Sequence, residues 1–165
     1  LCTPAQIDHI ETQVARAVEQ GGRILAGGRR VDGMDGLFFQ PTIIECPDPS
    51  MEIVDTELFG PVLAVLRFSD EDDVIAQANR SVHGLAAGLF TRDSARSMRV
   101  ARRLRAGIVW VNTYRVISPI AEFGGSKQSG YGRESGMQAV YDYTRPKTVW
   151  MNLSDDPVAN PFEPR

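Results

Sequence analysis

The stretch from Ala121 to Gly136 constrains this chain more than any other. Five of its sixteen residues are glycine: Gly124, Gly125, Gly130, Gly132 and Gly136. Glycine adds nothing to an apolar core, so at this density it specifies backbone shape, either positive φ or close approach by another group. The stretch therefore reads as a polar loop from Ser118 to Gly132, with a helix opening near Arg133. Two phosphate-binding readings fail. A dinucleotide loop must follow a strand directly and open a βαβ unit, whereas the nearest strand, residues 108–112, ends well upstream. A P-loop needs Ser or Thr after its lysine, and Lys127 is followed by Gln128. On chemistry alone, this is a structural loop that packs the helix behind it.

The chain as a whole has the makeup of one soluble globular domain: 165 residues, 42% hydrophobic and 24% charged. A net charge of −3 with both signs scattered gives no footprint for nucleic acid or an anionic membrane. Arg99, Arg102, Arg103 and Arg105 are the densest basic run, and their helical spacing marks a solvated face rather than a phosphate site. No apolar run approaches the roughly 20 residues that span a bilayer. Cys2 and Cys46 make no disulfide framework and suit a reducing compartment, so the expected location is cytoplasmic. His9 and His83 lack any metal-ligand spacing.

Helix and strand signals alternate. Thr3-Pro4-Ala5-Gln6 offers an N-cap, a proline at the first helical position and a capping-box glutamine. Ile7, Ile10, Val14 and Val18 then recur at helical spacing until Gly21-Gly22. Residues 23–26 read as a strand, 29–36 as a hairpin or surface loop, and 38–46 as β-rich, with Pro41 at an edge or a strand beginning. The apolar runs 62–68 and 85–90 suit strands covered on both faces, and 108–111 is a third. Ser69, with Asp70 to Asp73, opens one helix. Asp93 caps another, with Ala95, Met98, Ala101 and Leu104 as its inner stripe and Gly107 as its stop. Met137, Val140 and Tyr141 form the inner face of the last helix, Pro146 bars its continuation, and 147–153 alternates as a strand before a polar tail. Such alternation predicts an α/β fold with right-handed crossovers.

Three pieces, in this order and at this spacing, resemble the C-terminal end of the aldehyde dehydrogenase superfamily. They are Val109-Trp-Val-Asn-Thr-Tyr, then Phe123-Gly-Gly-Ser-Lys-Gln-Ser-Gly-Tyr-Gly-Arg-Glu, then Tyr143-Thr with Lys147-Thr-Val. The likeness runs from about Ala5 to Val149 but covers only the last third of a family member. It implies an α/β, strand–helix alternating open sheet of the catalytic domain over residues 1–146, an oligomerisation strand at 147–153 and a polar tail at 154–165. It also implies a homo-dimer or homo-tetramer.

The same resemblance implies roles for individual residues. In Glu57-Leu-Phe59-Gly60-Pro61, the Glu57 carboxylate would take the nicotinamide ribose hydroxyls of NAD or NADP, and the Phe59 ring would pack beside the cofactor. Glu134 would relay a proton from the active-site interior, or anchor the loop. Asn112 and Phe123 would line the substrate tunnel, with Tyr114 as a neighbour. Glu122 departs from the family, which usually has proline there, and Arg145 stands where an acid is common. The main-chain carbonyls of Lys127 and Gly130 would bind potassium, K+, as they do in some members.

Family chemistry uses a cysteine thiolate that attacks the aldehyde, hydride transfer to NAD(P)+, and a glutamate-activated water that releases the acid. Both the nucleophile and that glutamate match positions upstream of residue 1. Cys2 precedes a helix cap outside the family's motif, and Cys46 follows a strand as a buried thiol. The expected protein is thus an NAD(P)+-dependent aldehyde dehydrogenase of which this chain is a fragment, inactive by itself. A non-catalytic self-associating domain and a semialdehyde or acyl-phosphate reductase of the same superfamily are the alternatives.

Overall fold

In the computed structural model, which describes residues 1–156 and 162, the first helix starts where its cap directs. Thr3 is extended and its hydroxyl accepts the Gln6 N–H at 3.2 Å, so α1 (Pro4–Glu19) begins with proline at a position that needs no donor. Ile7, Ile10, Val14 and Ala17 form its buried stripe; Val18, expected inside, faces out because Ala17 takes the inner position. After the Gly21-Gly22 stop, β1 (Arg23–Ala26) pairs antiparallel with β2 (Thr42–Glu45), which starts directly after Pro41. A short helix α2 (Glu52–Asp55) leads to β3 (Val62–Val65), which lies parallel to β2 in the register Thr42↔Val62 to Glu45↔Val65. The α1 stripe packs with Phe39, Ile44, Cys46, Met51, Ile53 and Leu58 into one apolar cluster.

The second half is built differently. Asp70, whose carboxylate accepts the Asp73 N–H at 2.9 Å, caps α3 (Glu71–Arg80). Then come β4 (His83–Gly84), β5 (Ala86–Leu89), α4 (Ser94–Arg103) capped by Asp93, β6 (Ile108–Val111), β7 (Ser126–Lys127) and α5 (Gly136–Asp142). β5 and β6 are parallel, from Ala86↔Ile108 to Leu89↔Val111, while β4 and β7 are antiparallel. α4 buries Val100 flanked by the half-buried Ser97, Ala101 and Leu104, and leaves Met98 exposed. Two arginines of the basic run pair with the acidic first turn of α3, Arg99 with Glu71 at 2.6 Å and Arg103 with Asp72 at 2.6 Å.

The α/β alternation and the parallel pairings are as expected, but the strands fall into three small sheets, β1-β2-β3, β4-β7 and β5-β6. Strands β3 and β5, predicted as covered on both faces, are open here: Leu63 is 59% exposed, and Leu85 and Phe90 are exposed as well. A continuous apolar run reports what a strand prefers to bury; among the described residues each strand is covered on one face only, Val62 and Ala64 of β3 packing on the core cluster and Ala87 and Leu89 of β5 being half-buried. Met137, Val140 and Tyr141 of α5 are likewise exposed rather than inward. Residues 147–153 form no strand within the chain and Trp150 is 92% exposed. Of the polar tail, residues 157–161 and 163–165 lie outside the described residues.

Glu45 ties the first sheet together, accepting Arg23 Nη2 from β1 at 2.6 Å and Arg67 Nε just beyond β3 at 2.6 Å. The hydrogen bonds from Arg23 and then Arg67 hold its pKa below the ordinary carboxylate value. A depressed folded pKa stabilises above the unfolded value and ceases to stabilise as pH falls through the folded one. Thermal unfolding should therefore show Glu45→Gln less stable than wild type near neutrality, with the gap closing on acidification. A gap independent of pH would remove the carboxylate charge as its cause.

Candidate functional site

The segment after α2 is held from three sides while two side chains stay free. Leu58 is buried in the core cluster. Phe59 adopts φ +49°, and its carbonyl accepts Gln6 Nε2 from the first turn of α1. Gly60 lies directly against the Ile10 side chain, where a Cβ would overlap Ile10 Cδ1. The Pro61 carbonyl accepts the Thr42 N–H at 2.8 Å, which delivers the chain into β3. On this fixed turn Glu57 is exposed, and the Phe59 ring is 73% exposed. A carboxylate that accepts two hydrogen bonds and a flat ring, two residues apart on a pinned backbone, suit a diol beside a planar heterocycle.

The glycine loop is built by close backbone packing. Gly84 of β4 pairs with Ser126; its carbonyl accepts Ser126 Oγ at 3.1 Å and its N–H donates to Ser129 Oγ at 3.0 Å. Gly107 donates to the same Gly84 carbonyl at 3.0 Å and sits so close to the Gly124 carbonyl that no Cβ fits between them. Arg133 then spans the loop: Nη1 donates to the carbonyls of Gly125 at 2.8 Å, Gly132 at 2.9 Å and Tyr131 at 3.3 Å. Phe123 and Glu134 exchange two backbone hydrogen bonds of 2.7 Å each, an isolated antiparallel bridge. This bridge holds Glu134 extended. Ser135, at φ +62°, turns the chain, so the helix expected near Arg133 starts at Gly136 instead.

The structure thus brings Phe123 and Glu134 together, along the rim of a cavity of about 460 Å³ that Leu85, Gly124, Arg133 and Tyr143 also line. Asn112 lies in a different depression, of about 630 Å³, with Phe90, Arg92 and Ser97. Asn112 adopts φ +52°; its Oδ1 accepts the Thr91 N–H at 2.8 Å and its Nδ2 donates to the Thr91 carbonyl at 2.9 Å. Tyr114 packs edge-on against Trp110, with ring centroids 5.5 Å apart. The Lys127 carbonyl accepts the Gly130 N–H at 3.3 Å, and Gly130 is at φ +98°. Cys46 is buried, and burial pushes its thiol pKa up, opposite to what a nucleophile needs. Cys2 is exposed. Among the described residues, no cluster of three or more His, Cys, Asp and Glu side chains could hold a metal.

Several residues of this architecture escape sequence reasoning. Gln6 reads as a cap partner, yet its amide nitrogen serves Phe59; its Oε1 accepts the Cys2 N–H at 3.1 Å. Ser126, Ser129 and the Arg133 side chain read only as loop polarity. The one available signal was a charged residue set among glycines, where a buried carbonyl needs a donor.

The sequence model of the aldehyde dehydrogenase family matches residues 1–149. The chain is 48% identical over 163 residues to (Z)-2-((N-methylformamido)methylene)-5-hydroxybutyrolactone dehydrogenase of Acinetobacter baylyi, covering 98% of this chain and 33% of that protein. It is 42% identical over 165 residues to betaine aldehyde dehydrogenase 1 of Rhizobium meliloti, with 98% and 33% covered. Among solved structures, PnpE of Pseudomonas sp. WBC-3 in complex with nicotinamide adenine dinucleotide superposes with a TM-score of 0.90 at 39% identity, covering 98% of this chain and 34% of that one. The chain spans about a third of the length of these relatives. A glycine loop folded around Arg133, a pinned Glu57-to-Pro61 turn and a match over residues 1–149 give one conclusion: the chain belongs to the aldehyde dehydrogenase family.

Proposed function

We propose that this chain is the C-terminal part of an aldehyde dehydrogenase that oxidises an aldehyde to a carboxylic acid with NAD+ or NADP+. The observation that carries the reading is the Phe123–Glu134 bridge. It sets an apolar ring and a carboxylate side by side on a loop that backbone packing and Arg133 hold in one shape. In this reading residues 1–146 belong to the catalytic domain. Glu57 and Phe59 hold the nicotinamide riboside, which when bound supplies the hydride acceptor. Phe123 walls the aldehyde path, and Glu134 moves a proton or anchors the loop. Asn112 borders that path from the end of β6; its amide is engaged by Thr91, so it acts through shape rather than through a free donor.

Residues 147–153 pair with another subunit in a homo-dimer or homo-tetramer, which gives their exposed apolar side chains a partner. The 154–165 tail follows that strand. Potassium would find two carbonyl oxygens here, those of Lys127 and Gly130, whereas a hard cation takes about six to eight, so most of the shell would come from outside the chain. The expected location is cytoplasmic; no helix among the described residues is long and apolar enough to cross a membrane.

The test uses the complete polypeptide that contains this chain. Aldehyde-dependent reduction of NAD+ or NADP+ is expected. Glu57→Gln should lower turnover about tenfold or more, because charge-assisted bonds to ribose hydroxyls are worth about 1.5–3 kcal/mol each. Folding should be little affected, since Glu57 faces solvent. Wild-type kinetics in that variant at every cofactor concentration would take Glu57 out of the site.

A further inference from the structure

Lys127 stands out from the loop that contains it. It adopts φ +54°, a left-handed conformation that glycine takes freely and a lysine takes at a cost of about 1 kcal/mol or more. The flanking sequence is rich in glycine, yet a long cationic side chain occupies this position. Its ammonium reaches far along the chain: Nζ donates to the Ser81 carbonyl at 2.9 Å and to the Asn79 carbonyl at 3.0 Å, 46 and 48 residues away. Those carbonyls lie at the C-terminal end of α3, where the helix leaves acceptors unpaired and its dipole favours a cation.

Asn79 extends the junction. Its Nδ2 donates to the Arg103 carbonyl at 2.8 Å and its Oδ1 accepts the Arg105 N–H at 2.7 Å, both at the end of α4. Three chain segments therefore meet at one ammonium and one amide. On the loop side, Lys127 belongs to β7, between the Phe123–Glu134 bridge and the Arg133 guanidinium.

We propose that Lys127 is a positioning residue: its ammonium fastens the glycine loop to the C-terminal end of α3, which the Asn79 amide ties to the end of α4, and so fixes where Phe123 and Glu134 stand. The relevance to catalysis rests on the function proposed above; the fastening itself does not. Charge at Nζ is what the junction requires. Lys127→Met keeps the stem and loses the donors, Lys127→Gly relieves the backbone and loses the donors, and Lys127→Arg keeps the charge.

In the complete enzyme, amide hydrogen exchange across residues 123–134 should rise about tenfold or more in both Lys127→Met and Lys127→Gly, since the loop then opens locally. kcat should fall about tenfold, as misplacement of site groups by a fraction of an ångström dictates, while NAD+ affinity stays at the wild-type value. Lys127→Arg should lie between wild type and Lys127→Met in both readouts. Wild-type exchange in Lys127→Met, or full recovery of kcat and protection in Lys127→Gly, would overturn the proposal. Faster exchange in Lys127→Met, together with a wild-type protein that oxidises no aldehyde, would leave the fastening intact and remove the function reading instead. If Lys127→Met does not accumulate as folded protein, Lys127→Gly and Lys127→Arg carry the comparison: faster exchange across 123–134 in the first, partly restored in the second, supports the proposal, and wild-type protection in Lys127→Gly overturns it.

Discussion

Gly107→Ala is expected to destabilise the protein by about 3 kcal/mol, the upper end of the range for overpacking a close contact. A Cβ at that position would meet the Gly124 carbonyl oxygen and carbon and, at 3.2 Å, the Gly125 Cα. All three are backbone, so no side chain can swing aside. The turn joining α4 to β6 would have to part from the glycine loop, and the Gly107 N–H bond to the Gly84 carbonyl would go with it. Urea unfolding checks this through a lowered midpoint at constant slope. Gly130→Ala provides the contrast: it has open space around the added carbon but sits at φ +98°, so it should lose only about 1 kcal/mol, and from backbone strain alone. Equal losses at the two positions would show that packing at Gly107 has been over-read.

Ile10→Ala should cost about 3–4 kcal/mol, in the usual range for emptying a fully buried aliphatic site. Ile10 is 0% exposed, and its Cδ1 also forms the surface on which Gly60 rests. The cavity therefore opens directly beneath the turn that presents Glu57 and Phe59. Weaker NAD+ binding by the complete enzyme should accompany the loss of stability, measured at a temperature where the variant remains folded. A destabilised variant with wild-type cofactor affinity would mean that Gln6 and Thr42 hold that turn without help from Ile10.

What sequence made legible was mostly local. Thr3, Asp70 and Asp93 mark helix starts because a short polar side chain satisfies an end N–H within the same few residues. The strand at 42–45 is legible from its β-branched residues and from Pro41 before it. The start of the last helix is not, because a bridge to Phe123, eleven residues back, competes with the local preference of Arg133 and Glu134. On α4 the expected stripe holds at Ala101 and Leu104 but fails at Ala95 and Met98, where Ser97 and Val100 turn inward instead, while Arg99 and Arg103 pair with the acids of α3. In the site, the motif identified Glu57, Phe59, Phe123 and Glu134 as candidates. The groups that hold their backbone, Gln6, Lys127 and Arg133, act through contacts dozens of residues away or through carbonyls, and neither leaves a periodic trace.

The uneven placement of the core bears on how such a protein can change over generations. Among the described residues, ten of the twelve buried apolar side chains lie between Ile7 and Leu58, leaving only Ile75 and Val100 beyond them. The half that carries the glycine loop is assembled instead from main-chain contacts, serine hydroxyls and two cations. Substitutions on its exposed walls therefore disturb little that keeps the chain folded. Inheritance can reshape the cavity walls while the first sixty residues preserve the scaffold, a division of labour that lets a lineage vary one half without first becoming unstable.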